Sequence, residues 1–144
     1  MAHITKTRPA ADIALGFAAD GRGTGVAFAT IATGTARSTV RLGFRFKPLA
    51  ALEGKEAGYA AVAALAAHIK ARGFGRIRVR VADAGLAAEL SGQRNVGPAL
   101  GMAYVKTRCA LYAFTSARIE AGEAVEIADL QARARAEVSL TVAA

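Results

Sequence analysis

The sequence predicts an α/β domain: a five-stranded mixed sheet, made of a three-stranded antiparallel meander followed by two parallel strands, flanked by helices. Three observations carry that expectation. From Ala11 to Lys47, apolar and polar residues alternate with period two between glycine-containing turns, as in successive strands. From Glu53 to Arg72 the apolar residues recur at three- and four-residue spacing, as on one face of a helix. At Asp83 the period changes within one stretch. Before it, Ile77, Val79 and Val81 alternate with Arg76, Arg78 and Arg80; after it, Leu86 and Leu90 lie four apart. A meander joined to crossover units gives a mixed sheet with helices packed on it.

With 144 residues, 53% of them hydrophobic, the chain is long enough for one domain with its own core. No apolar run approaches the roughly 20 residues of a membrane span. The start MAHITKTRPAAD lacks the apolar core of a secretory peptide, so a cytoplasmic protein with no membrane partner is expected. Cys109 is the single cysteine, which rules out an internal disulfide and a cysteine-based metal cage; it reads as a small apolar residue on a helix. Nineteen basic against eleven acidic residues give a net charge of +8, a field that favours anionic partners and nucleic acid above all. Such a field speeds encounter and carries no specificity.

In chain order, residues 1–10 show no periodicity and read as a flexible N-terminal arm. IALGFAA, the turn DGRGTG and VAFATIA form a hairpin. After Gly34 and Thr35, strand three puts Val40, Leu42, Phe44 and Phe46 on one face, and Arg37, Thr39, Arg41, Arg45 and Lys47 on the other. Pro48 ends it. The helix from Glu53 to Arg72 presents Tyr59, Val62, Leu65, Ala66 and Ile69, and GFG closes it. Strand four and a short helix follow on either side of Asp83. Another helix starts at Pro98, a favourable first-turn residue, and carries Leu100, Tyr104, Val105 and Leu111. Strand five is expected near Tyr112 to Ile119. EAGE then turns into the helix VEIADLQARARA, and residues 139–144 form an apolar tail or short strand.

Four segments in this order resemble the ribonuclease H family: the glycine-rich first hairpin, KEAGYAAVAAL, VRVADAGLAAELSGQ and IADLQARARA. The resemblance covers roughly residues 11–138, which it makes the ribonuclease H-like domain. It implies a ribonuclease H-like sheet and, in active members, cleavage of the RNA strand of an RNA/DNA hybrid by divalent metal held on four carboxylates. Two magnesium ions bring four positive charges into one pocket, and the carboxylates neutralise them and place the attacking water.

Each acid therefore has to be found. Asp83 matches the family acid at the end of strand four, a position where Asp also serves as a helix N-cap. Asp129 matches the acid of the last motif; the plain alternative is a surface acid paired with Arg133 four residues on. Aligning AGY on the family's Ala-Glu-Tyr puts Gly58 at the third acid. Glu56, two residues earlier, points about 200° away around the helix at roughly 100° per residue. Asp20 is a candidate for the first acid, but it opens the turn GRGTG, whereas the family acid lies several residues before the turn, near Leu15 or Gly16. Two of four acids are kept on this count, which would leave two divalent ions with about two uncompensated charges. Magnesium or manganese is the cofactor only of an active protein; binding alone requires none. His3 lies in the arm and His68 on the long helix has no evident acid partner, so no other catalytic set replaces the acids.

The basic residues are more regular. Arg37, Arg41, Arg45 and Lys47 on strand three, and Arg76, Arg78 and Arg80 on strand four, each share one strand face, a pattern suited to phosphate contacts. The first functional expectation is thus a ribonuclease H-like domain with lost or weakened hydrolysis, acting as a binding module for nucleic acid, whether RNA/DNA hybrid or duplex. A second is an active metal-dependent ribonuclease H using Asp83, Asp129 and Asp20 or Glu56. A third is a protein-interaction or homo-oligomerisation domain, since a last helix with only Ile127, Leu130 and Ala134 as its apolar face covers little of a sheet.

Overall fold

The computed structural model describes residues 9–49 and 54–143, with side chains through Leu140. Its elements run β1 (Ala10–Ala19), β2 (Thr24–Thr33), β3 (Ala36–Arg45), α1 (Lys55–Ala71), β4 (Arg76–Val81), α2 (Ala84–Leu90), a 3₁₀ turn at Pro98–Leu100, α3 (Gly101–Leu111), β5 (Ser116–Ala121) and α4 (Val125–Ala143). The five strands form one sheet in the order β3-β2-β1-β4-β5. β1, β2 and β3 pair antiparallel, while β1, β4 and β5 pair parallel, the expected meander with two crossover strands.

Period-two patterning decides which helix covers which face. Ile13 and Leu15 of β1, Ala29 and Ile31 of β2, and Val79 and Val81 of β4 point to one side, where they pack on Tyr59, Val62, Leu65 and Ile69 of α1. Leu86 and Leu90 of α2 and Leu111 of α3 complete this main core. The opposite side holds a smaller core in which Ala14, Val26 and Phe28 meet Ile127, Leu130 and Ala134 of α4. α4 crosses β1 at Gly16, where an added Cβ would lie 2.3 Å from the backbone nitrogen of Gln131. Beyond Leu15↔Val81, β1 has no parallel partner. There the Gln131 side chain replaces it, accepting from Phe17 N at 3.0 Å and donating to Phe17 O at 2.6 Å. Among the described residues no helix is long and apolar enough to cross a membrane.

Several local expectations change. Strand five starts at Ser116 rather than Tyr112, because the turns of α3 continue through Tyr112 N to Arg108 O and Phe114 N to Leu111 O. Val105 is exposed and Tyr104 half-buried. The inward face of α3 is set instead by Leu111 and a polar residue, Thr107, whose hydroxyl donates to Tyr59 O at 3.1 Å. Residues 139–143 are not a strand: α4 continues through them, carried by the four-residue spacing of Leu130, Ala134 and Val138 on the smaller core. β1 already includes Ala10, while residues 1–8 of the expected arm, His3 and Glu53 lie outside the described residues.

Candidate functional site

Asp83 stands where β4 ends, and its Oδ1 accepts from Leu86 N at 3.0 Å, capping α2. It shares a shallow groove with Lys55, Tyr59, Glu89 and Arg94. Beneath it, the buried Tyr59 hydroxyl donates to the buried Glu89 carboxylate at 2.6 Å. Burial first, and the Glu89 carboxylate second, raise the Tyr59 pKa well above that of an ordinary phenol, so the donor keeps its proton. Tyr59→Phe would leave Glu89 without this donor in an apolar setting. The expected cost is about 1–3 kcal/mol, read as a lower urea midpoint with unchanged slope; a midpoint equal to the parent's would mean that solvent already serves Glu89.

The strand beside Asp83 offers no carboxylate. Extending the parallel register by two residues brings Phe17 alongside Asp83; Leu15 is fully buried in the main core and Gly16 abuts the α4 backbone. Across from Phe17 lies Gly58 of α1, where an added Cβ would come within 3.2 Å of the Phe17 ring and 2.9 Å of Leu86. The space between β1, β4 and α1 is therefore filled by Phe17 and Leu86, and Gly58 leaves room for them.

The remaining sequence candidates are dispersed. Asp20 lies in the β1–β2 turn, where its Oδ1 accepts from Arg22 N at 2.8 Å and Thr24 N at 3.0 Å. Those backbone donors, Thr24 first, hold its carboxyl below the usual carboxylate range. Glu56 sits in the first turn of α1, only 5% exposed, and its Oε2 is buried with no hydrogen-bond partner among the described residues. Asp129 is exposed. It lies two residues beyond the buried Ile127, about 200° around α4 at roughly 100° per residue, so it points away from the sheet. The structure thus brings Asp20 and Glu56 to one cleft, also lined by Phe17, Phe46, Gln131 and Arg135, while Asp83 opens on a different groove. Among the described residues, no three His, Cys, Asp or Glu side chains gather closely enough to hold a metal ion. The arrangement does not fit a pair of divalent cations.

The basic residues are gathered on one face. Strand parity and register put Arg37, Arg41, Arg45, Arg76, Arg78 and Arg80 on the side of the sheet that carries α4, with Lys47 just past the end of β3. In one row across the sheet, Arg37, Ala32, Asp12, Arg78 and Arg118 are successive register partners. Several of these arginines are engaged within the fold. Arg37 donates to Glu126 at 2.9 Å and Arg41 to Glu137, so two β3 cations tie down α4. Arg78 donates to Glu120 at 2.8 Å, and Asp12 lies 3.8 Å from Arg78 and 3.6 Å from Arg80. Arg45, Lys47 and Arg76 have no acidic partner among the described residues. Neither has Arg118, which sequence inspection passed over although it has the parity of Arg76 and Arg78 once β5 is parallel to β4. Asp12, Gln131 and Arg135 were also missed. Asp12 was legible as a lone acid in an apolar strand; the roles of the other two depend on where α4 crosses β1.

No family model and no curated protein matches the sequence. Solved structures do match. RNase H1 from the halophilic archaeon Halobacterium salinarum is similar with a TM-score of 0.68 at 18% identity, over 90% of this chain and 96% of that one. The N-terminal RNase H domain of a Mycobacterium tuberculosis protein gives 0.69 at 18% identity, over 94% and 99%. LC11-RNase H1, isolated from compost and solved in complex with an RNA/DNA hybrid, gives 0.62 at 13% identity, over 92% and 99%. The chain has the ribonuclease H-like fold.

Proposed function

We propose that this chain is a nucleic-acid-binding domain of ribonuclease H-like fold whose hydrolytic activity is lost or greatly weakened. The observation that carries this reading is the separation of the carboxylates. Asp83 caps a helix, Asp129 faces away from the sheet, Asp20 is held in a turn, and β1 and α1 present Phe17 and Gly58 to each other. Two-metal hydrolysis needs those charges at one point. Binding needs only cations in reach of phosphates, and Arg45, Lys47, Arg76 and Arg118 are exposed and have no acidic partner among the described residues. An RNA/DNA hybrid is the first ligand to test, since it accompanies one of the similar structures. The cytoplasm, where such a partner is met, is the proposed location.

The test is a hybrid titration at several salt concentrations. Log affinity should fall linearly with log salt, and Arg45→Ala and Arg76→Ala should each flatten the slope by about 0.9 if each removes one phosphate contact. Hydrolysis of the same hybrid in magnesium or manganese should stay at background. Efficient cleavage abolished by Asp83→Asn would overturn the loss of hydrolysis, and no binding at low salt would overturn the nucleic-acid reading itself.

A further inference from the structure

The cleft at the end of β1 holds a feature that phosphate binding does not use. Its volume is about 680 Å³, within the range of small-ligand sites. Phe17, Phe46 and Pro48 give it apolar walls, and Glu56, nine-tenths buried, contributes a carboxylate whose Oε2 has no donor. Buried carboxylate oxygens are nearly always hydrogen-bonded, so this one marks a place where a donor belongs. Arg135 lines the same cleft, and Lys47 stands in the chain between the lining residues Phe46 and Pro48. Neither cation has an acidic partner among the described residues.

The second lining carboxylate, Asp20, already accepts from Arg22 N and Thr24 N, so an aromatic-walled slot with one unpartnered carboxylate oxygen calls for a flat ligand with adjacent N–H donors. Two groups have that shape: the guanidinium of an arginine, and the Watson–Crick edge of guanine with N1–H and the exocyclic amine. The surroundings choose between them. A chain of net charge +8, with Arg135 lining the cleft and Lys47 between two lining residues in the chain, disfavours an arginine-bearing peptide and attracts a phosphate backbone. Resting on the nucleic-acid reading above, we propose that this cleft receives an unpaired guanine of the bound strand. Glu56 accepts from its N1–H and amine, a phenylalanine ring stacks on its face, and Arg135 and Lys47 meet the flanking phosphates.

The experiment is a fluorescence-anisotropy titration, in chelator and at low salt, with a short oligouridine carrying one guanosine, inosine or adenosine at its centre. Guanosine should bind about tenfold more tightly than adenosine, with inosine, which lacks the amine, in between. Glu56→Gln, nearly isosteric, should bring the three within about twofold while the salt slope stays that of the parent. The inosine comparison uses the unaltered protein and does not depend on the variant folding. Equal affinity for the three oligomers would overturn the guanine slot while leaving nucleic-acid binding in place. Failure of all three to bind while the RNA/DNA hybrid still binds would also overturn the guanine slot alone, failure of the hybrid as well would remove both readings, and binding of an arginine-rich peptide in their stead would assign the cleft to a protein partner.

Discussion

Gly16→Val is expected to destabilise the protein by about 3 kcal/mol or more, through the loss of α4 from the sheet. An added Cβ at this position meets Gln131 N at 2.3 Å, the Leu130 carbonyl carbon at 2.4 Å and Gln131 Cα at 2.8 Å. All three are backbone atoms, so no rotamer change relieves the overlap; the helix axis must move. Ile127, Leu130 and Ala134 would then withdraw from Ala14, Val26 and Phe28, and the Gln131 amide from the Phe17 backbone. The two methyl groups of valine enlarge the clash that alanine would already make. Gly43→Ala on β3, where an added Cβ meets nothing within 4 Å, is the control and should fall within about 0.5 kcal/mol of the parent. Urea unfolding followed by circular dichroism decides it. A Gly16→Val midpoint close to that of the control would mean that α4 does not dock on β1 at backbone contact.

The same crossing explains why some of the molecule could be inferred from sequence and some could not. Strands, helices and their inward faces follow from local periodicity: Val40, Leu42 and Phe44 against Arg37, Thr39 and Arg41, or the change of period at Asp83, need no tertiary information. Gly58 at the third acid position was visible in the alignment of AGY. That Phe17 faces it was not, since this depends on the β1–β4 register and on α1 lying above both. The direction of Asp129 was equally hidden. A helix of modest apolar content can roll on a sheet, and its phase is fixed by Gly16 below it, by Gln131 on the Phe17 backbone, and by Glu126 and Glu137 reaching Arg37 and Arg41, 89 and 96 residues away. Those pairs also alter what the basic strands mean. Parity put the arginines on one face; the structure divides them into cations paired within the fold, two of them to α4, and cations with no acidic partner among the described residues.

Gly58→Glu, which puts a carboxylate where the ribonuclease H resemblance expects the third acid, is expected to cost about 3–5 kcal/mol and to yield no hydrolysis in magnesium or manganese. Gly58→Ala separates the two contributions to that cost. The atoms that a Cβ would meet, Leu86 Cδ2 at 2.9 Å and the Phe17 ring at 3.2 Å, are ends of side chains and can shift by a few tenths of an ångström. Against that small strain, alanine gains up to about 1 kcal/mol of helix propensity over glycine, so Gly58→Ala should lie near the parent in stability. The penalty of Gly58→Glu is therefore one of charge: the new carboxylate is driven between the Phe17 ring and Leu86. Equilibrium unfolding of the two variants measures the difference. If Gly58→Glu matched Gly58→Ala, the carboxylate would have reached solvent or a cation, and the apolar seal between β1, β4 and α1 would be looser than Phe17 and Leu86 make it. If sealed, a carboxylate at position 58 would meet the Phe17 ring on β1 and no acid, because Phe17 is the β1 residue that the extended register brings alongside Asp83.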